Sequence, residues 1–246
     1  MPNRLIGRNK WLPREPSAAA TGRVFCIPYS GCGVSMYRKW PGQLAGVEFL
    51  PLELPGHETR FAEPNFETYQ ELAKAMTLDL EPYLDLPYAF FGHCGSALAA
   101  YEASAELIRA GLPAPARLFV SSQVAPQDGP FGRFLEMNDA ELAAELDTLI
   151  RELGGTPSAE LVSLYLEVLR ADVDTNKRYV MPNPFRLACP ITAIGWTEDN
   201  EISYQKMSGW TECGDTTFEL LAGRHHRFME APPELLSILC SGLRTQ

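Results

Sequence analysis

Short apolar runs alternate along this chain with longer stretches whose apolar residues recur at helical spacing. The first run, Arg23-Val24-Phe25-Cys26-Ile27, is stopped by Pro28 and a Gly-rich loop and predicts a buried strand. Val47 to Leu52 predicts a second strand, ending before Pro55-Gly56. Leu72, Ala73, Met76 and Leu80 then fall on one face of a helix expected over Tyr69 to about Leu84. Tyr88 to Phe91 predicts a strand, the Ala-rich segment to Gly111 a helix, and Arg117 to Ser121 another strand. The alternation then breaks. Asn138 to about Val180 predicts two amphipathic helices separated by Gly154-Gly155-Thr156-Pro157. Strand–helix order resumes at Cys189 to Gly195 and Thr217 to Leu221, and closes with a helix from Pro233 to about Leu243. This order implies a mostly parallel sheet covered by helices on both faces. Residues 1–22 are expected to form a loose arm, and 23–246 a single domain with a helical lid inserted at about 126–181.

The junction Phe91-Gly92-His93-Cys94-Gly95-Ser96-Ala97-Leu98 carries the strongest chemical signal. A strand, a one-residue turn and a helix are the setting of the G-x-S-x-G nucleophile elbow of an α/β-hydrolase. Here Cys94 stands at the nucleophile position and Ser96 at the second glycine. Small flanking residues let strand and helix pass close to a strained residue. The Gly95 amide would face the oxyanion of an attacked carbonyl, aided by the helix N-terminus. A lone G-x-C-x-S could equally be a buried cysteine at a tight turn, so the remaining positions decide.

In such folds the chain order is nucleophile, acid, base. The strand ending at Ile194 runs into Gly195-Trp196-Thr197-Glu198-Asp199-Asn200-Glu201, where Asp199 is the first candidate acid and Glu198 the second. The last strand runs into Gly223-Arg224-His225-His226-Arg227, where His225 is the candidate base and His226 the fallback. Separately, these are an acidic loop and a basic loop; together with Cys94 they keep the order of a triad. Ser30, in the small-residue loop after the first strand, is the candidate for a second oxyanion amide beside Gly95. No Gly-Lys-Ser/Thr follows that loop, which excludes a nucleotide P-loop. His93 is expected to shape the elbow and not to serve as a base.

The chain's 246 residues, 46% of them hydrophobic, suffice for one such domain. The net charge of −10 argues against nucleic acid. No apolar stretch is long enough to span a membrane, and no signal-peptide core follows Met1, so a cytoplasmic protein is expected. The six cysteines form no C-x-x-C pair and read as thiols. With four histidines lacking ligand spacing, no metal is expected.

Taken together, the motifs resemble a type II thioesterase of non-ribosomal peptide and polyketide synthesis. Ile27-Pro28-Tyr29-Ser30-Gly31-Cys32-Gly33, Leu54-Pro55-Gly56-His57-Glu58-Thr59-Arg60, the Cys94 elbow and Leu169-Arg170-Ala171-Asp172 match that family's phrases, as does Cys189-Pro190-Ile191-Thr192-Ala193. The resemblance covers roughly residues 23–243. It departs from the family at Cys94, usually Ser, and at Gly95-Ser96, usually Met-Gly. It implies an α/β-hydrolase fold with a helical lid, and Cys94, Asp199 and His225 as the triad with Ser30 and Gly95 as oxyanion amides. It also implies action on acyl or aminoacyl thioesters of an acyl or peptidyl carrier protein. No cofactor is then expected, since the phosphopantetheine belongs to the carrier, and a monomer is expected. Hydrolysis through an acyl-Cys94 intermediate is the leading expectation. Transfer to a second carrier thiol is the alternative, and a non-catalytic carrier-binding module the third.

Overall fold

The computed structural model describes residues 9–243. Seven strands form one sheet: β1 (Gly22–Cys26), β2 (Gln43–Leu44), β3 (Val47–Pro51), β4 (Tyr88–His93), β5 (Arg117–Ser121), β6 (Ile191–Trp196) and β7 (Thr216–Leu221). Their order is β2-β3-β1-β4-β5-β6-β7, parallel throughout except for the short antiparallel β2 at one edge. The strand–helix alternation implied this mostly parallel sheet, and the elbow motif and family resemblance implied the α/β-hydrolase architecture it forms. The central strands β1, β4 and β6 are buried along their whole length, as continuous apolar runs between two helical layers should be.

The helices are α1 (Tyr69–Leu80), α2 (Gly95–Arg109), α3 (Asp139–Glu152), α4 (Ala159–Arg178), the single turn α5 (Trp210–Cys213) and α6 (Pro233–Gly242). Local chemistry sets where they start. Thr68 accepts from the Glu71 amide at 3.2 Å, Asn138 and Glu141 form a reciprocal capping box, and Ser158 caps α4. α2 is rich in alanine because it lies against β4, β5 and α1, where larger side chains would hold the layers apart. α3 and α4 form the helical insertion between β5 and β6, preceded by 3-10 turns at Pro126–Asp128 and Arg133–Glu136.

One expectation is corrected. The described part of the 1–22 arm is not loose: Trp11 is completely buried, stacks on Phe66 and lies under the Arg60 guanidinium. Its indole nitrogen donates to Asp79 Oδ2 at 2.7 Å. The polar and Pro-containing composition of that segment hid one large aromatic anchor. Residues 1–8 lie outside the described residues.

The chain leaves β1 toward one side and β4 toward the other, so a crevice opens between their C-terminal ends. Open parallel sheets bind ligands at such a switch point.

Candidate active site

Cys94 occupies that crevice. It is the N-cap of α2, with φ 55° and ψ −133°, a left-handed conformation that costs a non-glycine residue of order 1–3 kcal/mol. Surrounding contacts hold it there. The Cys94 amide donates to Ser121 O at 2.8 Å, and its carbonyl accepts from the Ala97 amide at 2.9 Å. Gly92 makes the turn possible: a Cβ on it would run into the Ser96 carbonyl and stand 2.7 Å from Ala97 Cα. Ser96 closes the elbow with its hydroxyl, which accepts from the His93 amide at 2.9 Å and lies 2.9 Å from the His93 carbonyl.

His225 begins a 3-10 turn just past β7, and Asp199 lies in the loop after β6. His225 Nδ1 is 3.0 Å from Asp199 Oδ2. The Asp199 carboxylate is fully buried and accepts three further bonds: from Ser122 Oγ at 2.6 Å and from the amides of Glu201 and Ile202 at 2.8 and 3.0 Å. Burial by itself would raise this carboxyl; the bonds and charge from His225, with those of Ser122 and Ile202, instead hold it down to about 2. For His225, burial disfavours the charged ring. The bond to Asp199, interaction with the Cys94 sulfur, and the Glu201 charge override it and raise His225 to about 10. His225 Nε2 is buried, has no hydrogen-bond partner among the described residues and lies 3.6 Å from Glu201 Oε2.

The structure thus brings Asp199 and His225 into contact and places Cys94 at the elbow, and it sorts these residues from their sequence neighbours. Glu198 points to solvent, 3.7 Å from Arg224. His226 turns away to Glu152 Oε2, 2.7 Å from its Nδ1. His93 is buried, stacked on Phe228 with ring centroids 4.0 Å apart, and its Nδ1 is 2.9 Å from Ser121 Oγ. Burial and the neighbouring histidines push His93 well below the usual range, so it stays neutral. Ser30, on the loop after β1, lies against Gly95: its Oγ is 3.2 Å from where a Gly95 Cβ would stand. Ser122 was missed by sequence reading, because one polar residue past a strand looks like any turn; its φ of 46° marks it as constrained.

Two clefts adjoin these residues. One is lined by Ser30, Leu54, His57, Tyr69, Asp172 and Thr175, among others. The other is more open, and Arg133, Glu201, Arg224, His225 and Arg227 contribute to it. Glu201, His225 and His226 offer metal-ligand atoms within 4.8 Å of one another. Glu201 is, however, 3.3 Å from the Arg133 guanidinium, and His226 is engaged by Glu152. Elsewhere, burial pushes Cys189 to about 11 and Cys213 to about 12, which suits thiols acting as small apolar side chains.

An elbow, a buried carboxylate and an imidazole between them can perform acyl transfer. Comparison with known proteins agrees with that chemistry. The model of the thioesterase domain matches residues 22–241. Gramicidin S biosynthesis protein GrsT of Aneurinibacillus migulanus is 32% identical, the alignment covering 96% of this chain and 94% of that protein. Among solved structures, the RedJ thioesterase from the prodiginine pathway of Streptomyces coelicolor is 33% identical with a TM-score of 0.72, covering 96% of this chain and 98% of the other. The type II thioesterase BorB from the borrelidin biosynthetic cluster is 29% identical with a TM-score of 0.81, covering 95% and 98%. The match runs through nearly the whole chain, and this protein belongs to the thioesterase-domain family, enzymes that hydrolyse thioesters.

Proposed function

We propose that this protein is a type II thioesterase that releases acyl groups from the phosphopantetheine thiol of a natural-product carrier protein, with Cys94 as nucleophile. The observation that carries the reading is the His225 imidazole, which is 3.0 Å from the buried Asp199 carboxylate, set against Cys94 held in a strained conformation at the head of α2. In this reading His225, raised enough to hold a proton near neutrality, already carries it as an imidazolium, and the Cys94 sulfur attacks the thioester carbonyl as a thiolate. The oxyanion accepts from the amides of Gly95 and Ser30. Collapse breaks the bond to the pantetheine sulfur, which leaves with the proton from His225, and the acyl group remains on Cys94 as a thioester. Water then gives a proton to His225 and attacks. The second collapse releases the acid and the Cys94 thiolate, beside the His225 imidazolium that the water has re-formed. Asp199 stays ionised throughout and orients the imidazole. The helical insertion α3–α4 would serve as the lid.

The cysteine itself favours a second reading. An acyl-cysteine is still a thioester, so a second pantetheine thiol could accept the group with little change in free energy, whereas a serine ester would commit it to hydrolysis. Intact-protein mass spectrometry separates the two. The enzyme is mixed with acyl-loaded carrier protein and an unloaded carrier of different mass. Acyl mass on the enzyme, lost in Cys94→Ala, followed by free acid with the second carrier unloaded, is the result expected for the thioesterase. Acyl mass arriving on the second carrier would assign the transferase. Full activity in Cys94→Ala would reject the site.

A further inference from the structure

The imidazole of His225 stands between two carboxylates, and the triad uses only one of them. Glu201 follows Asp199 on the same loop, and its amide donates to Asp199 Oδ1 at 2.8 Å. Its own side chain goes to the other nitrogen of the ring. Glu201 Oε2 lies 3.6 Å from His225 Nε2, while Asp199 Oδ2 lies 3.0 Å from Nδ1. The gap at Nε2 is too long for a hydrogen bond but short for two charges. Glu201 is 11% exposed, so water and salt screen the pair weakly.

A cation from the helical insertion fixes the other Glu201 oxygen. Arg133 Nε is 3.3 Å from Oε1, and the two terminal nitrogens of the same guanidinium bond Glu145 of α3. With Glu152 on His226 as well, the cluster is a network of ion pairs and not a set of metal ligands. The remaining groups around His225 are Cys94, the neutral His93 with its ring centroid 4.5 Å away, and His226 and Tyr29 at 5.2 and 6.0 Å. Arg224 and Arg227 flank its turn and border the same cleft. Among the described residues, only Asp199 and Glu201 place a carboxylate against the ring.

We propose that Glu201 is a positioning residue for the base, a second carboxylate that holds His225 as the imidazolium a cysteine nucleophile requires. This rests on His225 serving Cys94 in thioester cleavage, as proposed above. The choice of nucleophile explains the extra charge. A serine hydroxyl gives up its proton only during attack, so its base must start neutral, and a second carboxylate would disable it. A cysteine passes its proton to the imidazole beforehand, and the resulting ion pair gains from negative charge on the histidine side. The Glu201 charge is among the causes that raise His225 to about 10.

The pH dependence of kcat/KM tests it. Acetyl-, propionyl- and alanyl-pantetheine are offered, the fastest is carried through, and spontaneous hydrolysis is subtracted. The alkaline limb of the wild-type profile records loss of the imidazolium. Glu201→Gln keeps the shape, removes the charge, and should move that limb about one pH unit toward neutrality. If that variant does not fold, Arg133→Met decides: removing the cation beside Glu201 should move the limb to higher pH. In a Cys94→Ser background the sign of the effect reverses. Serine needs a neutral base, so adding Glu201→Gln there should raise activity at neutral pH at least threefold. A merely structural Glu201 would lower activity in both backgrounds and leave the limb in place. A limb that stays in place overturns the role of Glu201 and leaves the functional reading standing. A fall in activity on adding Glu201→Gln to Cys94→Ser overturns it equally; where that background shows no turnover, the limb alone decides. Failure of the wild-type protein to cleave any of the three thioesters would overturn the functional reading and the role of Glu201 with it.

Discussion

Asp172 of α4 reaches down from the helical insertion to His57, its Oδ2 3.0 Å from the imidazole Nε2, and the same oxygen accepts from the Gly31 amide at 2.8 Å. The other ring nitrogen, Nδ1, is 2.8 Å from the Pro55 carbonyl. A carbonyl can only accept, so Nδ1 carries a proton; a carboxylate on Nε2 calls for a second. Burial opposes that charge, but Asp172 and Pro55 prevail and raise His57 above its ordinary value. The insertion is thereby pinned to the loop that carries Ser30.

Replacing Asp172 by Asn should lower stability by about 1–3 kcal/mol, measured by urea denaturation at neutral pH. The sign of the pH dependence follows from a raised imidazole. Its contribution is complete below about pH 6.5, the unfolded value, and is lost as pH rises through the folded value. Wild-type protein should therefore lose stability on the alkaline side of 6.5, and Asp172→Asn should lose less of it. Equal slopes in both proteins would dismiss the pairing.

His225 and His226 differ in what they touch, and kinetics should separate them. His225→Ala should lower kcat on the order of 10³-fold or more, as loss of a triad imidazole does. His226→Ala, which removes a side chain bonded to Glu152, should cost less than tenfold. Comparable losses would mean that the Asp199 contact does not select the base.

Asp199→Asn should reduce kcat/KM on the order of 10²–10⁴-fold while leaving the fold intact. It also changes the acid limb of stability. A carboxyl held down to about 2 contributes stability above its unfolded value near 3.8, and that contribution fades as pH falls toward 2. The variant should show a shallower loss across that window, followed by circular dichroism.

Gly92→Ala should cost about 2–4 kcal/mol, since the new methyl meets the Ser96 and Ala97 backbone and neither can move without unwinding the start of α2. Ser96→Ala keeps the space but removes the hydroxyl that ties both polar groups of His93, a milder loss of about 1 kcal/mol. Differential scanning calorimetry should rank the two in that order.

Much of this was legible in the sequence for a physical reason. Buried parallel strands must be apolar throughout, so β1, β4, β5 and β6 announce themselves, and the residues just past their ends share one edge of the sheet. That is why Cys94, Asp199 and His225 could be named from separate loops. Elements without an apolar pattern were not legible: Gln43–Leu44 is an exposed two-residue strand, and Trp210–Cys213 is a single turn. Ser122 escaped for a different reason. Its significance lies in the Asp199 carboxylate that faces it across the fold, and no local spacing encodes that.

The groups around Cys94 come from the ends of β1, β4, β5, β6 and β7, with α1 and α4 completing the wall. Nearly every contact between them spans a long stretch of chain, so closing them requires the entire sheet to be zipped, the final strand included. No fragment ending before β7 can hold His225 against Asp199. Turnover during renaturation should consequently lag behind recovery of helical signal and arrive only with complete tertiary closure, which makes the enzyme's own activity the most demanding reporter of its maturation.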